Sequence, residues 1–540
     1  MIKRGVEASK AFDGRAMWIW SSEGVSGPRE AGGHYRIRFF RRTFDSPADG
    51  RLTVHVSADS RYILWCNGAV VSRGPAKGDV SHQFYETVDV TAHLRAGRNV
   101  LAARVEYYGD VWCDYGRGGA SVSQMTACPG FVLDGTVVDG RGSAVEPVTS
   151  DGRWRVLSDR STRQQMAVAF SHCVGYGEDV ECSLYPWGFE TVDYDDGRWE
   201  PALEVTAAMR RDNDRDSFMP HRLTPRMIAA MEESPEAPLG RAFRVVGQGG
   251  LEAWSRMPAG GSPVRVEANR RVAVLIDHGC ETTGYPRLTF EGGAGGVVRL
   301  RYAEVLTDES HQSADRRDLS SGDVRGVCDV VRPDGPRRVY EPAFWRTLRF
   351  LRLEIETADR PMTIEVLTLR FTGYPFEPLA RVETSDPTTS AVWDISWRTA
   401  RCCAHETYED CPYYEQLQYG GDTQIQAMVS YAVAGDASLG RQFLYQFDWS
   451  RRPEGLTRSR YPSRVAQTIP LFSLHWILAI EDYWHYTGDV ETVRDLAPGI
   501  RAVVDYYRRR INASGVVGVV PGWMFADWSP DWPFEQNQNG

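Results

Sequence analysis

Alternating apolar and polar residues dominate the first two hundred positions of the chain. Runs such as HYRIRFFRRTF, RLTVHVSA, YILWCNG and NVLAARVEYY have the two-residue period of β-strands, and Gly, Asn, Asp and Pro separate them. Asn67 and Gly68 lie between two such runs, and both residues tolerate the positive φ of a type I′ turn, so a hairpin is predicted there. This pattern predicts a β-sandwich over residues 15–210.

A second group of strand patterns follows a less regular stretch. Residues 211–240 carry Pro, Arg and Met without a clear period and are predicted to connect two domains. RRVAVLIDHG, GVVRLRYAEVL and MTIEVLTLRFTGY then predict a second β-sandwich over residues 241–380. No helical pattern follows the segment EGGAGG between two of these strands, which favours a turn over a phosphate-binding loop.

The hydrophobic period changes from two residues to 3.6 at Ser385. Asp386 is placed to cap a helix whose first position is Pro387. Four further helical patterns begin near Asp422, Leu439, Leu471 and Val490. Five helices joined by long loops are therefore predicted over residues 381–540. They form either a small bundle or part of a larger helical toroid, and in a toroid they would leave apolar surface exposed.

Composition and charge exclude several classes of function. The chain is 42% hydrophobic and 25% charged, as is typical of folded globular proteins. Its net charge of -10, with basic residues interspersed among acids, argues against nucleic-acid binding. No apolar run reaches the roughly 18 residues of a membrane span, and the N-terminus has no continuous apolar segment of the signal-peptide kind. A cytoplasmic protein is predicted, and export stays open.

Cysteine and aromatic content point to a reduced compartment and a neutral ligand. Ten Cys in 540 residues is far below the density of a disulfide scaffold. Adjacent Cys402 and Cys403 point to different faces of a helix, so buried thiols are favoured over a zinc site with His405 and Cys411. No metal and no cofactor is predicted. The 17 Trp and 24 Tyr would suit sugar stacking, although most such rings belong to cores.

Acids, tyrosines and glycines are concentrated in residues 409–422, between two predicted helices. Glu415 lies among Tyr413, Tyr414 and Tyr419. We expect this setting to desolvate the Glu415 carboxyl, raise its pKa and keep it protonated, as a general acid requires. Residues 409–422 are therefore the candidate active site.

Two further carboxyls flank Glu415. Asp410 and Asp422, if they stay ionised, are suited to binding sugar hydroxyls and to stabilising an oxocarbenium-like transition state. The alternative is that Asp410 ends one helix and Asp422 caps the next, as acids in such positions often do. The residues alone leave both interpretations open.

The spacing of these acids resembles the signature of the bacterial α-L-rhamnosidases of glycoside hydrolase family 78. That signature is an Asp-Cys-Pro triplet, a Glu five residues after the Asp, and a Gly-Asp pair ending twelve residues after it; Asp410, Glu415 and Asp422 match it. The resemblance implies that Glu415 is the general acid and that the two Asp bind rhamnose hydroxyls. Many members read Gln-Arg-Glu where this chain has Tyr-Tyr-Glu, and Tyr414 is a further candidate for substrate contact.

Other segments carry the same resemblance in the same order. FRRTFDSP, SADSRYILWCNG and YDDGRWEPA resemble the N-terminal sugar-binding-like β-sandwich of the family. LIDHGCETTGYPRLTF, RLRYAEVLTDE and EPAFWRTLRFLRLEI resemble the β-domain that precedes its catalytic (α/α)6 barrel. GWMFADWSPDW resembles a loop that delivers an Asp and a Trp to the sugar, which makes Asp527 and Trp528 candidates, ahead of Trp523. SRYPSR, around Arg460, falls where another substrate loop is expected.

The resemblance implies removal of terminal, non-reducing α-L-rhamnose from a glycan or glycoside, with inversion at the anomeric carbon. The implied fold is two β-sandwich domains followed by a partial (α/α)6 barrel. A full barrel has twelve helices, so the expectation is a C-terminally truncated chain whose general base lies beyond Gly540 and which is inactive alone. The alternatives are a non-catalytic carbohydrate-binding protein and another helical-toroid glycosidase with a different sugar. Oligomeric state and calcium binding stay open.

Overall fold

The computed structural model describes residues 11–23, 35–109, 122–165, 177–212, 219–257, 261–310, 313, 315 and 317–525. The chain divides into two compact units. Unit 1 comprises Met1–Ala120, Gln124–Gln164 and Asp179–Arg226, and unit 2 comprises Ser121–Ser123, Gln165–Glu178 and Met227–Gly540. The protein is thus sheet-rich in its N-terminal part and helical in its C-terminal part.

Fifteen strands lie in the described part of the first 225 residues. They are β1 (Met17–Trp20), β2 (Arg36–Ser46), β3 (Thr53–Asp59), β4 (Arg61–Cys66), β5 (Ala69–Gly74), β6 (Gln83–Asp89), β7 (Gly97–Tyr107), β8 (Gly130–Val138), β9 (Ala144–Pro147), β10 (Arg155–Ser158), β11 (Thr162–Gln164), β12 (Glu178–Glu181), β13 (Glu200–Pro201), β14 (Leu203–Ala207) and β15 (Leu223–Pro225). In unit 1, one sheet has the order β14-β1-β8-β3-β6-β15 with β9 beside β8, and the other has the order β13-β10-β2-β7-β4-β5.

The two sheets of unit 1 share one apolar core. Trp20 and Phe131 of the first sheet and Phe40 and Leu64 of the second are fully buried in the same cluster. The rings of Phe40 and Phe131 stack with their centroids 5.2 Å apart. Alternate residues of a strand point to opposite faces of its sheet. The two-residue period of the sequence therefore places the apolar side chains of both sheets in the core between them.

The hairpin predicted between β4 and β5 is confirmed. Asn67 and Gly68 both have positive φ, at 50° and 88°, and the two strands pair antiparallel on either side of them. The Asn67 side-chain oxygen also accepts a hydrogen bond from the Val100 backbone N–H at 3.0 Å. The turn is therefore tied to the neighbouring strand β7.

Unit 2 begins with a second set of strands. They are β16 (Glu232–Glu233), β17 (Ala237–Pro238), β18 (Arg241–Val246), β19 (Val264–Val266), β20 (Arg271–Gly292), β21 (Val297–Ala303), β22 (Cys328–Arg332), β23 (Gly335–Tyr340), β24 (Arg346–Glu356) and β25 (Met362–Gly373). The order is β22-β21-β24-β20-β25-β16, and the long β20 pairs with β24 along its first part and with β25 along its second. The predicted Gly-rich turn is confirmed, since Gly293 and Gly295 have positive φ between β20 and β21.

Six helices complete the described part of unit 2. They are α1 (Leu251–Arg256), α2 (Thr388–Cys402), α3 (Gly420–Ala434), α4 (Ser438–Trp449), α5 (Pro470–Thr487) and α6 (Val490–Arg508). The five helices predicted after Ser385 are confirmed, and Asp386 accepts a hydrogen bond from the Thr388 N–H at 2.9 Å. The short α1 was not predicted, because six residues give too little of a helical period to recognise.

The prediction that long loops join the helices is wrong at two places. Residues 435–437 alone connect α3 to α4, and residues 488–489 alone connect α5 to α6. Gly435 and Gly488 end α3 and α5 in the left-handed conformation, with φ of 65° and 67°. Both pairs are therefore tight helical hairpins.

The helices present apolar side chains to solvent. Val392 and Ile395 on α2 and Ile425 on α3 are each more than half exposed. This agrees with the expectation for helices of a toroid. No described helix is long and apolar enough to cross a membrane.

Candidate active site

A closed loop between α2 and α3 carries two of the predicted acids, Asp410 and Glu415. The Leu417 N–H donates to the Asp410 carboxyl oxygen Oδ1 at 3.0 Å, and the Asp410 N–H donates to the Leu417 carbonyl at 2.9 Å. Between them, Gln416 has a φ of 55° and its N–H donates to the Cys411 carbonyl at 3.1 Å. Residues 410–417, called the acid loop here, are therefore held at both ends and within the turn.

The acid loop is anchored on the β-sheet of unit 2. The Tyr413 hydroxyl donates to the carbonyl of Tyr302 at the end of β21 and accepts from the Val327 N–H, both at 2.8 Å. The Thr347 hydroxyl of β24 donates to the Pro412 carbonyl at 2.7 Å. Strand ends distant in sequence thus fix the residues that precede Glu415.

Glu415 is half-buried at the tip of this loop. Its Oε2 atom accepts a hydrogen bond from the Tyr419 hydroxyl at 2.9 Å. The Tyr419 hydroxyl accepts from Nη1 of Arg460 at 2.7 Å, and Arg460 is only 2% exposed. Backbone pairing of Tyr419 with Arg460 and a 3.0 Å bond from the Gly420 N–H to the Ser459 carbonyl hold the two segments together.

The pKa of the Asp410 carboxyl is shifted by its surroundings. Burial, and then the nearby Glu415 carboxylate, raise the pKa of Asp410 to about 8, while the Leu417 N–H opposes the shift. The raised pKa favours the protonated form of Asp410, whereas the sugar-binding interpretation of the sequence was stated for an ionised group. The reason is that a carboxylate loses hydration when it is buried beside another negative charge.

Asp422 lies in the first turn of α3 and is exposed. Its charge contributes to the raised pKa of Asp410, so the two carboxyls are near one another. An acid in the first turn also suits the positive end of the helix dipole. Asp422 thus lies at a helix terminus, as the capping interpretation requires. It also lies near Asp410, as the sugar-binding interpretation requires.

Of the three tyrosines expected around Glu415, only Tyr419 bonds to its carboxyl among the described residues. Tyr419 bonds to Glu415, whereas the Tyr413 hydroxyl is used by the sheet. Tyr414 is 40% exposed, and its ring meets that of Tyr413 edge to face at 4.7 Å. Burial raises the pKa of the Tyr414 phenol, with the Glu304 carboxylate as the next cause. Successive side chains of the loop point in different directions, which the sequence alone did not reveal.

The remaining predicted sugar contacts are Trp523, Asp527 and Trp528. Asp527 and Trp528 lie outside the described residues. Trp523 is partly buried against Ile469, Phe472 and Phe525, in one apolar cluster. The Trp523 and Phe525 ring centroids are 4.9 Å apart.

The cysteines near the acid loop are thiols. Cys402 is buried, and burial raises its pKa to about 12. His405 stacks on Trp345 with ring centroids 4.0 Å apart, and its Nδ1 lies 3.1 Å from a carboxylate oxygen of Glu409. Within the described ranges, no group of three or more His, Cys, Asp or Glu is placed to hold a metal ion.

Two residues of the site were not singled out from the sequence. Tyr419 was named only as one of three surrounding rings, and Thr347 was not considered. A Tyr four residues after Glu415 was a weak local signal. The contact of Thr347 with Pro412 spans 65 residues and leaves no local pattern.

Three family models match the chain in order. They are described as the α-L-rhamnosidase N-terminal domain over residues 50–220, the bacterial α-L-rhamnosidase concanavalin-like domain over 267–370, and the bacterial α-L-rhamnosidase 6 hairpin glycosidase domain over 377–540. The last of these covers the acid loop and the two helical hairpins. Fold and site thus define a multidomain protein of the six-hairpin glycosidase class. The chain belongs to the bacterial α-L-rhamnosidase family.

Solved and curated relatives agree with this assignment. The GH78 family rhamnosidase of Bacillus sp. GL1 is 20% identical with a TM-score of 0.77, over 96% of this chain and 71% of that one. The α-L-rhamnosidase of Streptomyces avermitilis, solved in complex with L-rhamnose, is 20% identical with a TM-score of 0.67, over 88% of this chain and 42% of that one. These likenesses establish the fold.

A curated α-L-rhamnosidase of Streptomyces avermitilis is 26% identical over 306 residues, which is 54% of this chain. The matched part makes up 24% of that relative's length. The chain thus spans about a quarter of the curated relative it matches.

Proposed function

We propose that this protein hydrolyses terminal, non-reducing α-L-rhamnosides with inversion, and that Glu415 is the general acid. The observation that carries the proposal is the placement of Glu415: its carboxyl is held at Oε2 by Tyr419, at the tip of an anchored loop, with Asp410 and Asp422 near each other. The substrate class is taken from the relatives, one of which was solved with L-rhamnose. The partner is thus a rhamnose-containing glycan or glycoside.

The proposed reaction begins with proton donation. Glu415 gives its proton to the glycosidic oxygen as the bond between that oxygen and the anomeric carbon breaks. A water molecule attacks the opposite face of the sugar and loses its proton to a second carboxylate, which acts as general base. The products are free rhamnose of inverted configuration and the alcohol of the leaving group. We assign no residue of this chain to the base.

Asp410 and Asp422 are proposed to bind the sugar hydroxyls in different ways. A protonated Asp410 both donates and accepts hydrogen bonds, whereas an ionised Asp422 only accepts them. The Asp410 carboxyl also accepts hydrogen bonds from the backbone of Leu417 and Cys411, so a sugar hydroxyl would share this carboxyl with the acid loop. Tyr414, Asp527 and Trp528 remain proposed contacts. Buried Arg460 is better suited to a supporting role than to touching the sugar.

The domain organisation is part of the proposal. We infer that residues 15–210 and 241–380 are two β-sandwich domains joined by 211–240, and that 381–540 belong to an (α/α)6 barrel. Two tight hairpins, α3–α4 and α5–α6, support the barrel because helical hairpins are its repeating unit. The base would come from another part of the barrel.

The test replaces Glu415 by Gln in the natural full-length polypeptide and follows an aryl α-L-rhamnoside. We expect kcat/KM to fall about 10²–10⁴-fold, the usual contribution of a general acid. Glu481→Gln is the matched control, because Glu481 is 61% exposed on α5. Proton NMR of the first-formed rhamnose reports the anomeric configuration.

Three outcomes would contradict the proposal. Unchanged turnover by Glu415→Gln would remove the assigned acid, and retention of configuration would remove the inverting mechanism. Rhamnose binding without turnover by the unsubstituted protein would point to a carbohydrate-binding protein.

A further inference from the structure

A partly buried chain of hydrogen bonds leads from Arg460 to Glu415. Nη1 of Arg460 lies 2.7 Å from the Tyr419 oxygen, and that oxygen lies 2.9 Å from Oε2 of Glu415. The Arg460 guanidinium also lies over the Tyr419 ring, 5.6 Å from its centroid. Arg460 and Tyr419, which come from two separate segments, thus form a chain that ends on one carboxylate oxygen of Glu415.

The direction of both hydrogen bonds follows from the chemistry of the groups. An arginine only donates, so the Tyr419 oxygen must accept the bond from Arg460. The single proton of the phenol is then available to Oε2 of Glu415, which accepts it. Among the described residues, this is the one hydrogen bond that the Glu415 carboxyl receives.

We propose that Tyr419 and Arg460 are positioning residues that fix Oε2 of Glu415 as an acceptor and leave Oε1 to carry the transferable proton. The inference rests on the proposed function of Glu415 as general acid. It replaces a sugar-binding role for Arg460. Arg460 is only 2% exposed and therefore has little surface to offer a sugar.

The same chain of bonds stabilises the product of proton transfer. When Oε1 gives its proton to the leaving oxygen, negative charge appears on the Glu415 carboxylate. The phenol bonded to Oε2 becomes a charge-assisted donor, and the positive charge of Arg460 lies directly behind it. Because this interaction strengthens as the proton leaves, it favours the transition state over the bound substrate.

Arg460 is held in place independently of the acid. The Tyr461 N–H donates to the Gln418 carbonyl at 3.1 Å, and the Gln418 amide donates to the Tyr461 carbonyl at 2.7 Å. The segments that carry Tyr419 and Arg460 therefore keep their register without the side-chain bonds that link Arg460, Tyr419 and Glu415. This makes it reasonable to change Tyr419 or Arg460 without unfolding the site.

The experiment compares Tyr419→Phe, Arg460→Gln and Arg460→Lys in the natural full-length polypeptide. Each is assayed with aryl α-L-rhamnosides whose leaving phenols range from acidic to weakly acidic. Help from a general acid matters most for poor leaving groups. We therefore expect Tyr419→Phe and Arg460→Gln to lose about 10–100-fold in kcat with the poorest leaving group and several-fold less with the best.

Matched controls separate positioning from general damage. Tyr445→Phe removes a phenol that bonds to Asp495, on α4 and away from Glu415. Arg510→Gln removes a guanidinium that lies over the ring of Tyr506, after the end of α6. Both should keep the activity of the unsubstituted protein with every leaving group. Arg460→Lys, which keeps the charge, should recover part of the activity lost in Arg460→Gln.

The outcomes are distinguishable. A loss in Tyr419→Phe and Arg460→Gln that is equal for all leaving groups, or no loss, overturns the positioning role. If Glu415→Gln shows the leaving-group dependence and these variants do not, the positioning role alone fails. If Glu415→Gln itself shows none, the proposed function fails. Thermal unfolding of each variant identifies any that is not folded, and Arg460→Lys then serves as the milder change.

Discussion

Asp410 and Leu417 bond to each other twice, through the backbone and through the Asp410 carboxyl. One of these bonds uses the acid that we propose to contact the sugar. The loop that presents Glu415 is thus closed by the residue that we propose to bind the substrate. A change of charge at Asp410 will therefore affect both the sugar site and the stability of the loop.

The first prediction concerns the pH dependence of stability. The pKa of Asp410 is about 8 in the folded protein, and an unfolded Asp has a pKa of about 3.9. Between these values the folded state holds a proton that the unfolded state has released, so stability falls as pH rises through this window. The greatest slope for one such group is about 1.4 kcal/mol per pH unit.

Asp410→Asn tests this prediction, because Asn keeps an oxygen acceptor for the Leu417 N–H and does not titrate. Thermal unfolding is followed from pH 5 to pH 8.5. We expect the unsubstituted protein to lose more stability over this range than the variant. Asp505→Asn, at an exposed surface pair with Arg508, is the control and should follow the unsubstituted protein. Parallel curves for Asp410→Asn and the unsubstituted protein would show that Asp410 has no raised pKa.

The second prediction compares two buried phenols. Tyr413→Phe removes the hydroxyl that accepts from the Val327 N–H and donates to the Tyr302 carbonyl. We expect a loss of about 1–3 kcal/mol in the free energy of unfolding, the usual cost of leaving a buried polar group without a partner. Tyr507→Phe is the matched control, because the Tyr507 hydroxyl is buried and has no hydrogen-bond partner among the described residues.

Denaturant unfolding of both variants measures the difference. Tyr507→Phe should be neutral or slightly stabilising, since it removes an unpaired polar atom. An equal effect of the two substitutions would mean that the sheet does not anchor the acid loop through Tyr413.

The third prediction concerns the hairpin between α5 and α6. Gly488 has a φ of 67°, and a Cβ atom added there would meet nothing within 4 Å. Gly488→Ala should therefore cost about 1 kcal/mol through the backbone conformation alone. Gly250→Ala is the control, since Gly250 has a φ of −85° and also has open space around it. If both substitutions have the same effect on the melting temperature, the left-handed end of α5 is not what makes the connection short.

Local patterns in the sequence were enough for much of the fold. The two-residue and 3.6-residue periods located strands and helices, because each reports which side of an element is buried. The Asn67 and Gly68 turn followed from the φ values those residues tolerate. The short helical connections were wrongly predicted as long, although a Gly followed by an Asp at both Gly435 and Gly488 was a usable local signal.

The sequence by itself determined the order of the elements, the spacing of Asp410, Glu415 and Asp422, and the resemblance to a family. Only the tertiary structure decided which phenol bonds to Glu415, that Arg460 donates a hydrogen bond to that phenol, and that burial raises the pKa of Asp410. The physical reason is that periodicity reports burial within one element. Hydrogen-bond direction and pKa depend instead on groups that packing brings together from distant parts of the chain.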